Sequence, residues 1–435
     1  MTPPRLGRRG IAAGVLLLAC SAAGQAGAAG EPFAPAFDIA GSTRLGAWAR
    51  SRDLDRAGPV GIASVWVRAR ALLEPSQSIV VDAWGQRSTG RADDEDGRGG
   101  VRELYLKARL GENVELTAGR QIIAWGRADG LNPTDFFGRR DFTRLTFDDA
   151  DQRDGVDALA VTWSLGDAWS VQAVWLPRLR GDEIPLAPAP GQRVTIADPP
   201  RRPGGALKLD RSGGGPVDWS VSYADGTDRM PDLGFGGIDA GGLRAVLSHH
   251  EVRTLGADFS AGVGPAVLRG EVAWSQRDVG EGEGEGEGDE SFFRKRSQLM
   301  AVLGADGPLY GAWTGSMQLF AQWVPDHRSP DTLADPAAAA VARMQAAINN
   351  QPGPTQWGVG FRLARSWRND TWRTEFTGLR SFTTSASFLR ARVEVALDDR
   401  WQARFGADRY RGDPRTVFGQ LRANSTVQAE LRLLF

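Results

Sequence analysis

A chain of 435 residues with 41% hydrophobic and 24% charged residues is too polar for a bundle of membrane-spanning helices. Its 55 Gly and its 15 Trp against 4 Tyr are equally unlike a disordered chain. With 52 basic and 53 acidic residues the net charge is -1, so no basic excess offers itself to nucleic acid.

The first element reads as an export signal. Arg5, Arg8 and Arg9 supply a positive start, Ile11 to Ala19 a short apolar core, and Ala26-Gly27-Ala28 the small residues of a cleavage site. The expected division is a signal peptide over 1–28 and one domain over 29–435, whose strand pattern, taken next, is that of an outer-membrane β-barrel. Cys20, the only cysteine, follows Leu17-Leu18-Ala19 in a stretch that also resembles a lipobox, so lipidation stands beside ordinary cleavage. Beyond this segment no run of 18 apolar residues occurs, and no spanning helix is expected.

From residue 37 onward the pattern has period two. Val65, Val67, Ala69 and Ala71 alternate with Trp66, Arg68 and Arg70; Leu104, Leu106, Ala108 and Leu110 alternate with Glu103, Tyr105, Lys107 and Arg109. Leu389 to Leu397 and Trp401 to Ala407 repeat the pattern against Arg390, Arg392, Glu394, Arg404 and Asp408. A soluble sandwich also alternates, but here the polar face carries both charge signs strand after strand. Arg68, Arg70, Arg109, Arg390, Arg392, Glu394 and Arg404 are therefore expected to line a wet lumen while the greasy face meets lipid. Strand starts near 37, 60, 78, 101, 113, 156, 169, 204, 216, 243, 265, 293, 313, 355, 371, 385, 400 and 425 predict an all-β, antiparallel transmembrane barrel of about 16–18 strands. Trp48, Trp84, Trp163, Trp175, Trp323, Trp357 and others near strand ends suit an interfacial girdle. The alternating strand that ends on Phe435 resembles the assembly signal of bacterial outer-membrane barrels.

Segments near 125–155, 178–203, 278–292 and 326–354 break the strand rhythm and are expected as long loops on one side. Glu281 to Gly288 reads as a solvated tip, and Asp335 to Asn350 as a short helix at the mouth. The most distinctive loop runs from Ala124 to Phe137 and on to Arg139-Arg140-Asp141. Its Trp125, Arg127, Asp129, Asn132, Asp135, Arg139, Arg140 and Asp141 are candidates for a constriction folded into the lumen, each guanidinium finding a carboxylate. An ordinary ion-paired surface loop is the alternative. Gly119-Arg120-Gln121, Trp125-Gly126 and Asn132-Pro133-Thr134-Asp135 resemble a family of uncharacterised proteobacterial outer-membrane, porin-like barrels. That resemblance implies a channel or an export barrel and brings no settled substrate.

Catalytic chemistry is not expected. His249 and His250 adjoin on what reads as one strand and would point to opposite faces, and no nucleophile elbow is present. Asp149-x-Asp151 is followed by Arg153 where a calcium loop needs an oxygen, so neither a metal nor another cofactor is predicted. The expected function is a porin-like channel for small or linear polar solutes. Its rivals are an export barrel for a polymer or lipid-like molecule with a periplasmic partner, and a non-conducting structural barrel. Expected partners are outer-membrane lipid and the barrel-assembly machinery.

Overall fold

The computed structural model describes residues 36–50, 58–89, 97–178, 180–185, 192–197, 202–277 and 290–435. The segment read as an export signal, with Cys20, and the Glu-Gly repeat lie outside them. Strands β1 (Ala36–Trp48), β2 (Val60–Glu74), β3 (Gln77–Thr89), β4 (Gly97–Leu110), β5 (Val114–Gln121), β6 (Val156–Leu165) and β7 (Trp169–Leu176) pair in chain order. After β8 (Gln192–Ile196) the wall resumes with β9 (Gly204–Arg211) and β10 (Val217–Thr227), and is interrupted again by β11 (Asp232–Asp239) and β12 (Gly242–Ser248). It continues through β13 (Glu251–Val263), β14 (Ala266–Gln276), β15 (Gln298–Pro308) and β16 (Trp313–Trp323). Helix α1 (Pro336–Ile348) precedes β17 (Thr355–Trp367), β18 (Trp372–Ser381), β19 (Ser387–Ala396) and β20 (Trp401–Arg411), and the short α2 (Val417–Gln420) precedes β21 (Thr426–Leu434). Antiparallel pairing of β1 with β21 closes an 18-stranded barrel. Closure leaves no unpaired edge, which a strand structure in lipid requires.

The pleat sorts each strand into two faces. Leu45, Leu389, Phe405 and Val427 stand exposed on the outside, whereas Ser42, Arg44, Glu103 and Glu430 are buried inside. Apolar groups left outside and charges taken inside is the inverse of a soluble core, and it suits a wall between lipid and a polar lumen. One end of the barrel has tight turns, as between β4 and β5 or β19 and β20, and the other carries the long connections. The chain enters and leaves the barrel at the tight-turn end, which by the rule for such barrels is periplasmic. There Phe435 exchanges backbone hydrogen bonds with Gly41, at 2.7 and 3.1 Å, and its ring lies where a Cβ on residue 41 would stand, so glycine is required at that crossing.

Three sequence expectations need correction. The strand expected near 243 is β12, which leaves the wall and pairs with β11 and, in parallel, with β8; the barrel strand begins at Glu251. Leu243, Ala245 and Leu247 alternate like a barrel strand, but their apolar face packs on Ala338, Val341 and Ala342 of α1 at the long-loop end. The histidines lie between β12 and β13 and not within a strand; His250 contacts Asp232 at 2.8 Å. Finally, Trp48 and Trp84 share the inward parity of Arg44 and Asp82 and are buried, Trp84 stacking on Trp66 at 5.5 Å. Trp163, Trp175, Trp323 and Trp357 do stand on the outside. Helix α1 starts where expected, with the Asp335 side chain accepting from the Ala337 N–H at 2.8 Å.

Candidate functional site

Residues 122–155, between β5 and β6, turn into the lumen and touch its wall on several sides. The entry is a tight turn. Trp125 is buried, donates from Nε1 to Gln172 at 2.7 Å and meets Phe137 edge-on at 4.9 Å. Gly126 follows with φ +93°, and a Cβ there would lie 2.5 Å from a Glu271 oxygen. Only glycine satisfies both the left-handed backbone and the close approach.

Glu271, on the inner face of β14 and almost fully buried, gathers this turn. Its Oε1 accepts from the backbone N–H groups of Arg127 and Ala128 at 2.5 Å each, and its Oε2 accepts from the Thr134 hydroxyl at 2.9 Å. A carboxylate satisfying otherwise orphaned N–H groups is the counterpart of a helix cap. Arg127 bridges to the wall, donating to Asp210 at 2.7 Å and pairing with Asp258. Asp129 accepts from Ser316 of β16 at 3.3 Å and lies 3.6 Å from Arg362 of β17, farther round the wall. Asn132 donates to the Ala128 carbonyl at 2.8 Å and closes the turn on itself.

The remaining candidates hold the loop together more than they reach the wall. Arg153 donates to Asp135 at 2.5 Å, and Arg139 spans Asp154 at 2.6 Å and Glu183 at 3.0 Å. Asp141 is buried between Arg98 of β4 at 3.1 Å and Arg144 at 3.4 Å. Arg140 donates its backbone N–H to Asp182, and burial together with the guanidiniums of Arg153 and Arg229 lowers its side-chain pKa.

The wall arginines of β19 and β20 meet a later part of the same loop. Arg390 donates to Asp149 at 2.5 Å and to Asp408 at 2.7 Å, and Arg392 lies 3.5 Å from Asp149. Arg404 pairs with Asp148, with Glu430 at 3.0 Å and with Glu394 at 3.0 Å, its guanidinium 4.2 Å above the Phe147 ring. Burial pushes the Asp148 carboxyl up, but Arg404, Arg44 and Arg432 outweigh it and hold it below the ordinary value. On the β1–β4 side Arg44 donates to Asp151 at 2.5 Å, and Arg144 lies 4.1 Å over Trp84. Arg68 is elsewhere, 3.3 Å from Glu103 on the wall. Arg70 borders an open space at the tight-turn end, and Arg109 lies on β4 near that end.

Space remains between the loop and β17–β20. At the long-loop end is a cavity of about 540 Å³, lined by Phe388, Tyr410 and Phe418 stacked 5.1 to 6.2 Å apart, with Arg140, Arg390 and Asp149 below. Beneath it lies a second cavity, of about 520 Å³, lined on the wall by Arg362, Arg373, Arg392 and Arg404 interleaved with Glu375 and Glu394, and on the loop side by Asp129 and Asp148. Charges of both signs therefore line this space. Gly130 and Asp149 of this loop border both. Sequence reasoning did not single out Glu271, Asp210 or Asp258, because parity marks them as inward without saying which loop atoms they face.

Comparison with solved structures gives the same architecture. OccAB1 of Acinetobacter baumannii matches with a TM-score of 0.53 and 10% identity over 92% of this chain and 96% of that one. OpdK, an outer-membrane protein of Pseudomonas aeruginosa, matches with 0.51 and 10% over 92% and 98%. At such identity the likeness is one of fold, and with the greasy outer face it places the chain among outer-membrane β-barrels. No curated protein matches the sequence. The family described as "Protein of unknown function (DUF1302)" matches residues 204–435, which include β9 to β21 but not the Trp125 loop. That match spans just over half of the 435 residues, and the chain belongs to this family.

Proposed function

We propose that the protein is a porin-like channel that passes small or linear polar solutes through the gap between residues 122–155 and the β17–β20 wall. The observation that carries this reading is the pair of cavities that meet at Gly130 and Asp149, one with an aromatic lining and one with charges of both signs. A solute with an apolar portion and a charged end finds surfaces for each in the order in which it would enter. Residues 1–28 act as the export signal in this reading, and Phe435 as the mark read by the assembly machinery.

A second reading, an export barrel for a lipid-like molecule with a periplasmic partner, draws support from the Phe388, Tyr410 and Phe418 stack, since an exit lined by aromatics suits an amphiphile. Single-channel recording on purified protein in planar bilayers separates the readings. Discrete, ohmic ion currents support the passive channel. Insertion without any current sinks it and leaves the export or purely structural barrel.

A further inference from the structure

At the long-loop end, two groups of arginines on the outer face of the barrel differ in their partners. On the β10–β13 arc they are compensated. Arg253 lies 3.3 Å from Asp225, and Arg202 lies 2.8 Å from Asp225 and 2.6 Å from Glu251. On the β18–β20 arc they are not. Arg380, Arg409, Arg411 and Arg422 are exposed and make no ion pair with a carboxylate among the described residues.

Register places these uncompensated guanidiniums together. Arg380 of β18 pairs across Ser387 of β19, which in turn faces Arg411 of β20, while Arg409 lies opposite Leu389. Outward parity along β20 runs Trp401, Ala403, Phe405, Ala407, Arg409, Arg411, so the strand is greasy until its last turn and then cationic. Arg409, Arg411 and Arg422 border a groove of about 830 Å³ that continues onto Val427 and Ala49. Asp408 also borders it, but its carboxylate is drawn inward to Arg390 at 2.7 Å. Phe405 and Val427 are 54% and 62% exposed, a strip for hydrocarbon that leads directly to the cations.

Clustered like charges without counterions repel one another, and a strand facing only hydrocarbon gains nothing from them. They are favourable where the membrane itself brings anions to that height. The long-loop end faces the outer leaflet, and guanidinium groups bind phosphate oxygens through paired N–H donors. We infer that this groove binds the phosphate groups of a phosphorylated, multiply acylated glycolipid of the outer leaflet, whose acyl chains lie along Phe405, Leu389 and Val427. The continuous apolar strip favours a lipid over a free anion.

Binding of bisphosphorylated lipid A to the full-length folded barrel, followed by native mass spectrometry in detergent, tests this. An anionic surface gains about fivefold in affinity per arginine near it, so Arg409→Gln with Arg411→Gln should lose about 25-fold. Arg422→Gln, outside the strands and harmless to barrel closure, should lose about fivefold, and Arg253→Gln should bind as the parent does. Dephosphorylated lipid should bind the parent as weakly as the double variant binds the intact lipid. Equal binding by parent and both variants, equal binding of the dephosphorylated lipid, or complete competition by an equal concentration of inorganic phosphate would each overturn the inference.

Discussion

Replacing Glu271 by Ala removes the acceptor that holds the start of the lumen loop. The backbone N–H groups of Arg127 and Ala128 lose their 2.5 Å partner, and the Thr134 hydroxyl loses its 2.9 Å partner. Each buried donor left unpaired costs about 1–3 kcal/mol, so the three together lose about 3–9 kcal/mol of anchorage if water does not enter. Arg127 still pairs with Asp210 and Asp258, and Asp148 and Asp149 still bind Arg404 and Arg390, so the loop should loosen at this end without leaving the lumen. The strands themselves keep every ladder bond, since Glu271 contributes to β14 through its backbone alone. Single-channel recording should therefore show a larger and noisier conductance for Glu271→Ala, while migration of unheated protein on gels shows a folded barrel. Glu271→Gln, which keeps one acceptor oxygen, should fall between the two. A conductance and noise level equal to the parent's in a folded Glu271→Ala barrel would show that the loop's position does not depend on this carboxylate, and would refute the reasoning.

Further expectations concern the wall and the ends. Val393→Arg puts a charge on the lipid face of β19 and should cost about 2–4 kcal/mol at the midplane, whereas Arg392→Ala, facing Asp149 inside, should fold and change ion selectivity; equal losses in urea titrations of both would contradict the assigned faces. Deleting Phe435 removes the pair of backbone hydrogen bonds to Gly41 and should lower insertion, with processed but unfolded protein accumulating in the periplasm; a normal yield of heat-modifiable barrel would count against it. Acid should leave the ion pairs of Asp148 and Asp228 intact until low pH. Burial raises the carboxyls of Asp148 and Asp228, but the guanidiniums around Asp148, and Lys295 with Arg277 around Asp228, hold both below the ordinary 3.8. A depressed carboxyl contributes stability that is complete above its unfolded-state value and is lost as pH falls through the folded one, so what these two carboxylates contribute to holding the loops, followed by conductance, should be steady from pH 7 to about 5 and fall only below about 4. A transition already complete by pH 5 would show that other groups hold the loops.

The two-faced strands, their approximate starts and the helix from Asp335 were legible in the sequence because each depends on local spacing. Period two sorts side chains whatever the partner strand, and Asp335 before Pro336 caps a helix in any setting. Parity, followed strictly, also marks Trp48 and Trp84 as inward; position near a strand end misled because a girdle needs the outer face as well as the right height. Local spacing could not separate β12 from a wall strand, since Leu243, Ala245 and Leu247 alternate alike whether they face lipid or α1. Nor could it assign partners across the lumen. Arg390 meets Asp149 and Arg127 meets Asp258 because closure of the barrel fixes which walls oppose the loop, and contacts separated by 241 and 131 residues depend on that closure alone. The sequence by itself thus determined a barrel with a charged interior and an unusual loop after Trp125. Tertiary structure decided that Glu271 gathers this loop, that Asp148 and Asp149 face the arginine wall, and where space remains beside the loop, because those depend on distances across a closed lumen that no local pattern encodes.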